Sequence, residues 1–222
     1  MGYQVKLMGF NFWTKEETEP VDLIDYNDKT MILLEPELED AVNEVGTLEF
    51  TMPPTHKYYS VPQPYQTTVE VYEDDDLIWF GRVISIETDY YRRKTVTCEG
   101  PMGWFNDTVQ RYHEYGENVE LHDFLADLIE VHNSMVLDNR KFVIGNITVE
   151  NKTVYRKLDY ESTAECIEKM CIEAEGGYIF FRREEGVNYI DWLAEMPYTC
   201  NQPVEFGLNM TDITSNFDGG YI

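Results

Sequence analysis

Apolar and polar positions alternate with a period of two through most of the first hundred residues, the signature of strands with one buried face. The clearest case is Thr67 to Glu73, where Val69 and Val71 share one face and Glu70 and Tyr72 the other. Asp74-Asp75-Asp76 follows as a turn, since Asp is favoured in turns by its local hydrogen bonding. A long second strand then runs from Leu77 to about Tyr90, with Gly81 as a bend or bulge. Residues 90–94 turn the chain again, and Lys94 to Glu99 returns, so 67–99 reads as a three-stranded antiparallel meander. Upstream, short strands are expected at about 3–8, 21–25, 30–39 and 46–52. Pro36 makes the third an edge strand or a bulge. Pro53-Pro54 ends the fourth, and 55–66 is loop.

The period changes to 3.6 in the second half. Leu121, Phe124, Leu125, Leu128 and Ile129 define an amphipathic helix over about 119–132, with Glu120 and Asp123 placed favourably in its first turn. A second helix begins at Ser162, with Glu165 at capping-box spacing. Its expected stripe is Ile167, Met170, Cys171 and Ala174, and Gly176-Gly177 ends it. Between the helices, 142–147 and 148–155 suggest two strands around Gly145-Asn146. Beyond them, 178–182 and 187–192 form a hairpin across Glu184-Glu185-Gly186, and 204–217 reads as loop and short strand. The fold class is α+β: a mainly antiparallel, tube-like barrel or sandwich, with an inserted α+β lobe carrying both helices.

Charge narrows the function. The 222 residues carry 42 acidic against 17 basic side chains, a net charge of −25. Such a surface opposes a nucleic-acid-binding face or an anionic membrane, both of which require Lys and Arg. With 43% hydrophobic residues the chain can bury a real core. No apolar stretch approaches the roughly 18 residues of a membrane span, and the N-terminus does not have the pattern of a secretory signal.

Candidate chemistry is sparse. Cys98, Cys166, Cys171 and Cys200 form no CxxC pair, and 166 and 171 fall about 140° apart on an α-helix. All four read as reduced, small apolar residues. His56, His113, His122 and His132 lack metal-ligand spacing, and His132 continues a buried helical stripe. Asp74-Asp75-Asp76 lacks the spaced ligands and glycine of a calcium loop. No GxSxG elbow or phosphate-binding glycine loop occurs. The expectation is no catalytic, metal or cofactor residue, and no enzyme. The aromatic excess says more: Tyr58, Tyr59, Tyr65, Tyr90, Tyr91, Tyr112 and Tyr115 fall at loops or strand ends, where aromatics mark protein interfaces or sugar-stacking sites.

One ordered set of segments resembles a known family. Residues 46–59 (GTLEFTMPPTHKYY), 77–87 (LIWFGRVISIE), 96–100 (VTCEG), 105–110 (FNDTVQ), 176–178 (GGY) and 189–193 (YIDWL) are similar, in collinear order, to tail proteins of Gram-positive phages called prophage endopeptidase tail proteins. Their N-terminal part resembles the baseplate hub of contractile tails. The resemblance implies a structural ring, usually a trimer, that connects the tail tube to the tip or spike in the virion tail, after assembly in the host cytoplasm. It implies a split tube-like domain, 1–112 plus 203–222, with 113–202 inserted. Partners would be further copies of the chain, distal tail or tube proteins and tip or spike proteins. DNA would pass through the lumen without specific binding, helped by like-charge repulsion from lumen-facing acids. Relatives continue past the equivalent of Ile222 into a second tube-like domain and often a wall-degrading module, so the resemblance implies a shortened hub or a piece of one. Other readings are a cell-wall peptidase or muramidase, and a glycan-binding adhesin using the loop tyrosines. The strand at 77–90, expected to overrun its neighbours and leave an unpaired edge, is the candidate interface.

Overall fold

A computed structural model describes residues 2–11 and 16–197; the expected elements at 204–217, the returning segment 203–222 and Cys200 lie outside them. Strands β1 (Tyr3–Asn11), β2 (Glu16–Glu17), β3 (Val21–Asp22), β4 (Leu34–Glu39), β5 (Thr47–Met52), β6 (Thr67–Glu73), β7 (Asp76–Thr88) and β8 (Lys94–Glu99) form one antiparallel sheet. Its order is β2-β1-β6-β7-β8-β5-β4, with β3 also on β1, and it curls into a half-barrel. The fold is α+β and mainly antiparallel, as the sequence pattern implies. The 67–99 meander is present, and its first turn is built on Asp74 and Asp75 at φ +47° and +74°.

Strand β7 lies in the middle of this sheet, not at its edge. Its first half pairs with β6, from Glu73↔Asp76 to Thr68↔Arg82, and its second half with β8, from Arg82↔Glu99 to Thr88↔Lys94. The long strand overruns each neighbour at opposite ends, so it is the seam of the sheet. Register shifts opposite Val71/Tyr72 and between Val83 and Ser85 flank Gly81, and such irregularities bend a strand. Gly81 serves close packing: a Cβ there would lie 2.2 Å from the Glu99 carbonyl oxygen and 2.4 Å from the Trp79 ring. The edge is β4, which pairs with β5 alone and carries a register shift between Leu34 and Glu37, so Pro36 sits on both an edge and a bulge.

Adjacent residues of β7 enter different cores. Trp79 packs with Leu7, Phe50, Val69 and Val96 inside the half-barrel. Phe80 points the other way, into a cluster with Trp104, Phe105, Phe124 and Trp192. The sheet is therefore covered on both faces here. For this reason β6 is buried from Thr67 through Val71 rather than on alternate residues.

The second cluster belongs to the lobe. The segment Pro101–Asp107, a 3-10 helix, delivers Met102, Trp104 and Phe105 to it. Strand β9 (His113–Glu120) leads into helix α1 (Leu121–Met135), whose stripe Leu121, Phe124, Leu125, Leu128 and Ile129 is buried as expected. Each such side chain contributes about 1.5–3 kcal/mol. A short 3-10 turn, Asp138–Arg140, precedes β10 (Phe142–Ile147) and β11 (Thr153–Leu158). These two strands do not pair with each other: β10 runs parallel to β13 (Val187–Leu193), and β11 is antiparallel to β9. Gly145-Asn146 lies within β10 instead of turning the chain. Asp191 approaches so closely that a Cβ on Gly145 would lie 1.9 Å from its Oδ1, which also accepts the Asn146 amide at 2.5 Å. Strand β12 (Tyr178–Glu184) and β13 make the expected hairpin, turning at Glu185 and Gly186 with φ of +50° and +78°.

Helix α2 (Thr163–Cys166) carries the capping box, with Ser162 Oγ accepting the Glu165 amide at 3.1 Å. It continues as a π-helix, Ile167–Glu173. Of the expected stripe, Ile167 and Cys171 are buried and Met170 packs against the core, but Ala174 is exposed; π turns close on i+5, and Cys166, five before Cys171, is buried with it.

Candidate functional site

The densest polar chemistry lies where the sheet meets the lobe, and it begins with Arg82. This residue is on the same face of β7 as Phe80, so strand periodicity aims its guanidinium into the junction, where it is almost completely buried. Its Nε donates to Glu99 at 2.7 Å, and its Nη1 and Nη2 engage both oxygens of Asp107. Arg140, from the lobe, reaches the same Asp107 at 3.3 Å and also donates to the Tyr65 carbonyl oxygen. Two guanidinium groups thus face two carboxylates, and the set is neutral. Burial opposes the Arg82 charge, but Asp107 and Glu99 outweigh it and hold that guanidinium above its ordinary pKa. Burial and the neighbouring Arg82 pull Arg140 below its own.

Two further clamps join the same parts. The Asn43 amide reaches β12 edge-on: its Nδ2 donates to Gly177 O at 3.2 Å and its Oδ1 accepts from Ile179 N at 2.8 Å. Glu70 of β6 meets Arg183 of β12 at 3.4 Å and accepts the Tyr72 hydroxyl at 2.7 Å. Burial, followed by the bond to Glu70, pushes the Tyr72 phenol up to about 12.

His132 sits behind the Arg82 cluster. Its Nε2 lies 3.2 Å from the Arg140 carbonyl and must donate to it, which leaves Nδ1 to accept from Thr108 Oγ1 at 2.9 Å. Thr163 and Gln110 continue the chain, at 2.8 Å each, and Gln110 ends on the Leu128 carbonyl at 3.1 Å. Both imidazole nitrogens are used and burial lowers the pKa, so this histidine is a structural part of the lobe core, as its place in the helical stripe implies.

The other sequence candidates disperse. His56 donates to Leu23 O at 2.9 Å and His122 to Val149 O at 2.8 Å, while His113 packs edge-on against Tyr115. Burial raises the thiol pKa of Cys98, and takes Cys166 and Cys171 up to about 12, the opposite of nucleophile activation. Among the described residues no three His, Cys, Asp or Glu side chains gather as metal ligands. Tyr65, Tyr90, Tyr91 and Tyr112 are exposed; Tyr58, Tyr59 and Tyr115 are partly buried, the last against Phe124. Sequence reading missed Arg82, Asp107, Arg140 and Asn43. The available signal was Arg82 itself, a charge at the inward phase of a buried strand.

What this arrangement does is hold two bodies together. Each carboxylate there is paired with an arginine at the sheet–lobe boundary.

No protein-family model and no curated protein matches the sequence. Among solved structures, the chain is similar to the 43 kDa tail protein of prophage MuSo2 from Shewanella oneidensis, with TM-score 0.54, 9% identity, and coverage of 88% of this chain and 56% of that one. It is also similar to a tail protein of Neisseria meningitidis, with TM-score 0.52, 14% identity, and coverage of 86% and 50%. A prophage tail protein of Listeria monocytogenes superposes more loosely, with TM-score 0.47, 15% identity, and coverage of 84% and 50%. The chain spans about half the length of these proteins. It has the fold of a phage tail protein.

Proposed function

We propose that this chain is a structural component of a phage or phage-like tail, a hub-type ring that joins the tail tube to the tip or spike. The observation that carries the reading is the tail-protein fold itself, matched over 88% of the chain. The neutralised sheet–lobe junction is consistent with it, because a ring subunit must transmit load without flexing. In this reading copies of the chain pack head to tail, since closed rings are built from heterologous contacts. Tube proteins bind one face and spike proteins the other. Acidic side chains on the lumen let DNA pass by like-charge repulsion.

Gold-labelled antibody against the chain, applied to purified tail particles, tests the placement. Label confined to the tip end is the expected result; unlabelled particles overturn it. A zymogram on purified peptidoglycan separates the enzymatic alternative: no clearing is expected, and clearing lost on mutation of one carboxylate overturns the structural reading.

A further inference from the structure

The molecule carries a net charge of −25, yet Arg92, Arg93 and Lys94 are consecutive at the end of the β7–β8 hairpin. Beside them Tyr90 and Tyr91 are 93% and 72% exposed, their rings edge to face at 5.4 Å. This tip is pre-formed. Asp89 accepts from the Arg93 amide at 2.8 Å and from its Nε at 2.7 Å. Tyr59 donates its hydroxyl to the Arg92 carbonyl at 2.7 Å, and Lys94 donates to the Tyr59 carbonyl at 2.6 Å. Tyrosine and arginine on an ordered arm are the side chains that dominate protein interfaces, and an ordered arm loses little entropy on docking.

A complementary surface lies on the same molecule. Between the β4–β5 turn and helix α2 is a groove of about 790 Å³. Met102 contributes to its apolar lining, and Glu39, Asp40, Glu44, Glu165 and Glu168 contribute carboxylates; no lysine or arginine is among its described lining residues. Lys169 reaches Glu165 at 3.4 Å from outside. The groove cannot receive the tip of its own chain. Along β8, Lys94 pairs with Met52 while Glu99 pairs with Thr47, and Glu39 of β4 also pairs with Thr47. Tip and groove therefore stand at opposite ends of the sheet, five residues or roughly 17 Å apart.

We propose that the Tyr90–Arg93 tip of one copy seats in the acidic groove of a second copy. The tyrosines enter over the apolar lining and the arginines meet the carboxylates, giving a head-to-tail contact that can propagate to a ring. The assignment rests on the ring reading above and specifies the surfaces that would close it.

Charge reversal with sedimentation velocity tests this on the full chain. R92E/R93E presents an acidic tip to an acidic groove, and E39K/E44K a basic tip to a basic groove. All four positions are exposed, and unchanged circular dichroism and Tm confirm that each variant folds. The expected result is self-association of the wild type that weakens with added salt, at least tenfold weaker association of either variant alone, and recovery when the two are mixed in equal amounts. Wild-type-like association of R92E/R93E alone overturns the tip assignment while leaving ring formation standing. A mixture no more associated than its parts overturns the pairing. A wild type that stays monomeric at every concentration overturns both the contact and the ring.

Discussion

The side-chain oxygen of Asn43 accepts a hydrogen bond from the backbone of Ile179, 136 positions away, at 2.8 Å. The amide end of the same side chain donates to Gly177 O at 3.2 Å. Asn43 thus takes the place of a strand residue against the free edge of β12, and its φ of +63° presents it there. Replacing it leaves a donor and an acceptor at the junction without their partner.

Asn43→Gly keeps the turn conformation and removes both bonds. It is expected to lower stability by about 1–3 kcal/mol, the cost of leaving partly buried backbone groups unsatisfied. Urea denaturation measures this, and faster hydrogen exchange at the Ile179 amide localises it.

Arg82→Met tests the junction's main clamp. The side chain is 4% exposed, and its partners Glu99 and Asp107 are 17% and 30% exposed. Removing it strands Glu99 and leaves Asp107 with Arg140 alone, at a cost of about 3 kcal/mol, the low end of the range for a buried pair because the partners retain some solvent. The Arg93–Asp89 pair, 52% and 36% exposed, is the contrast: solvent screens it, and Arg93→Ala should leave the denaturation midpoint close to that of the wild type. Equal effects in chemical denaturation would refute the distinction.

How legible was this in the sequence? Strand periodicity placed the meander, and the 3.6 period placed α1, because each buries one face against one core. The same rule failed where an element touches two cores. Glu70 and Arg82 are charges on faces that alternation assigns to solvent or to an apolar core, and each is buried against a lobe contributed by residues far along the chain. Strand β9 (HEYGENVE) was missed because few of its side chains are apolar and it is held by backbone pairing to β11. The π turns after Cys166 carry Ala174 out of the second helix's stripe and bring Cys166 in, and nothing in an α-helical template signals them. The junction was invisible for the same reason as Glu70: its members come from 43, 82, 107, 140 and 179, with no local spacing to reveal them.

His132 predicts a pH dependence. Its folded pKa lies below the ordinary 6.5 because burial disfavours the cation. The unfolded chain therefore takes up a proton first as pH falls, so stability is full above about 6.5 and declines below it until the folded value is reached. Thr108 Oγ1 would also lose its acceptor, since protonated Nδ1 becomes a donor. His132→Gln should flatten the slope of unfolding free energy against pH between about 7.5 and 5.5. An unchanged slope would assign the dependence elsewhere.

Gly81→Ala forces a methyl group into the Glu99 carbonyl and the Trp79 ring. Both are held by the sheet, so a loss of about 3 kcal/mol is expected, at the upper end for overpacking. Thermal denaturation reads it directly.

In the proposed reading, this chain is built into a tail as a ring. Cryo-electron microscopy of intact tail particles tests it most directly. The expected density, at the tip end, has several copies of the β1–β8 sheet around the tail axis, each with its lobe locked through Arg82 and Asn43. Particles whose tip rings accommodate no copy of this fold, reconstructed at a resolution that traces strands, would contradict it.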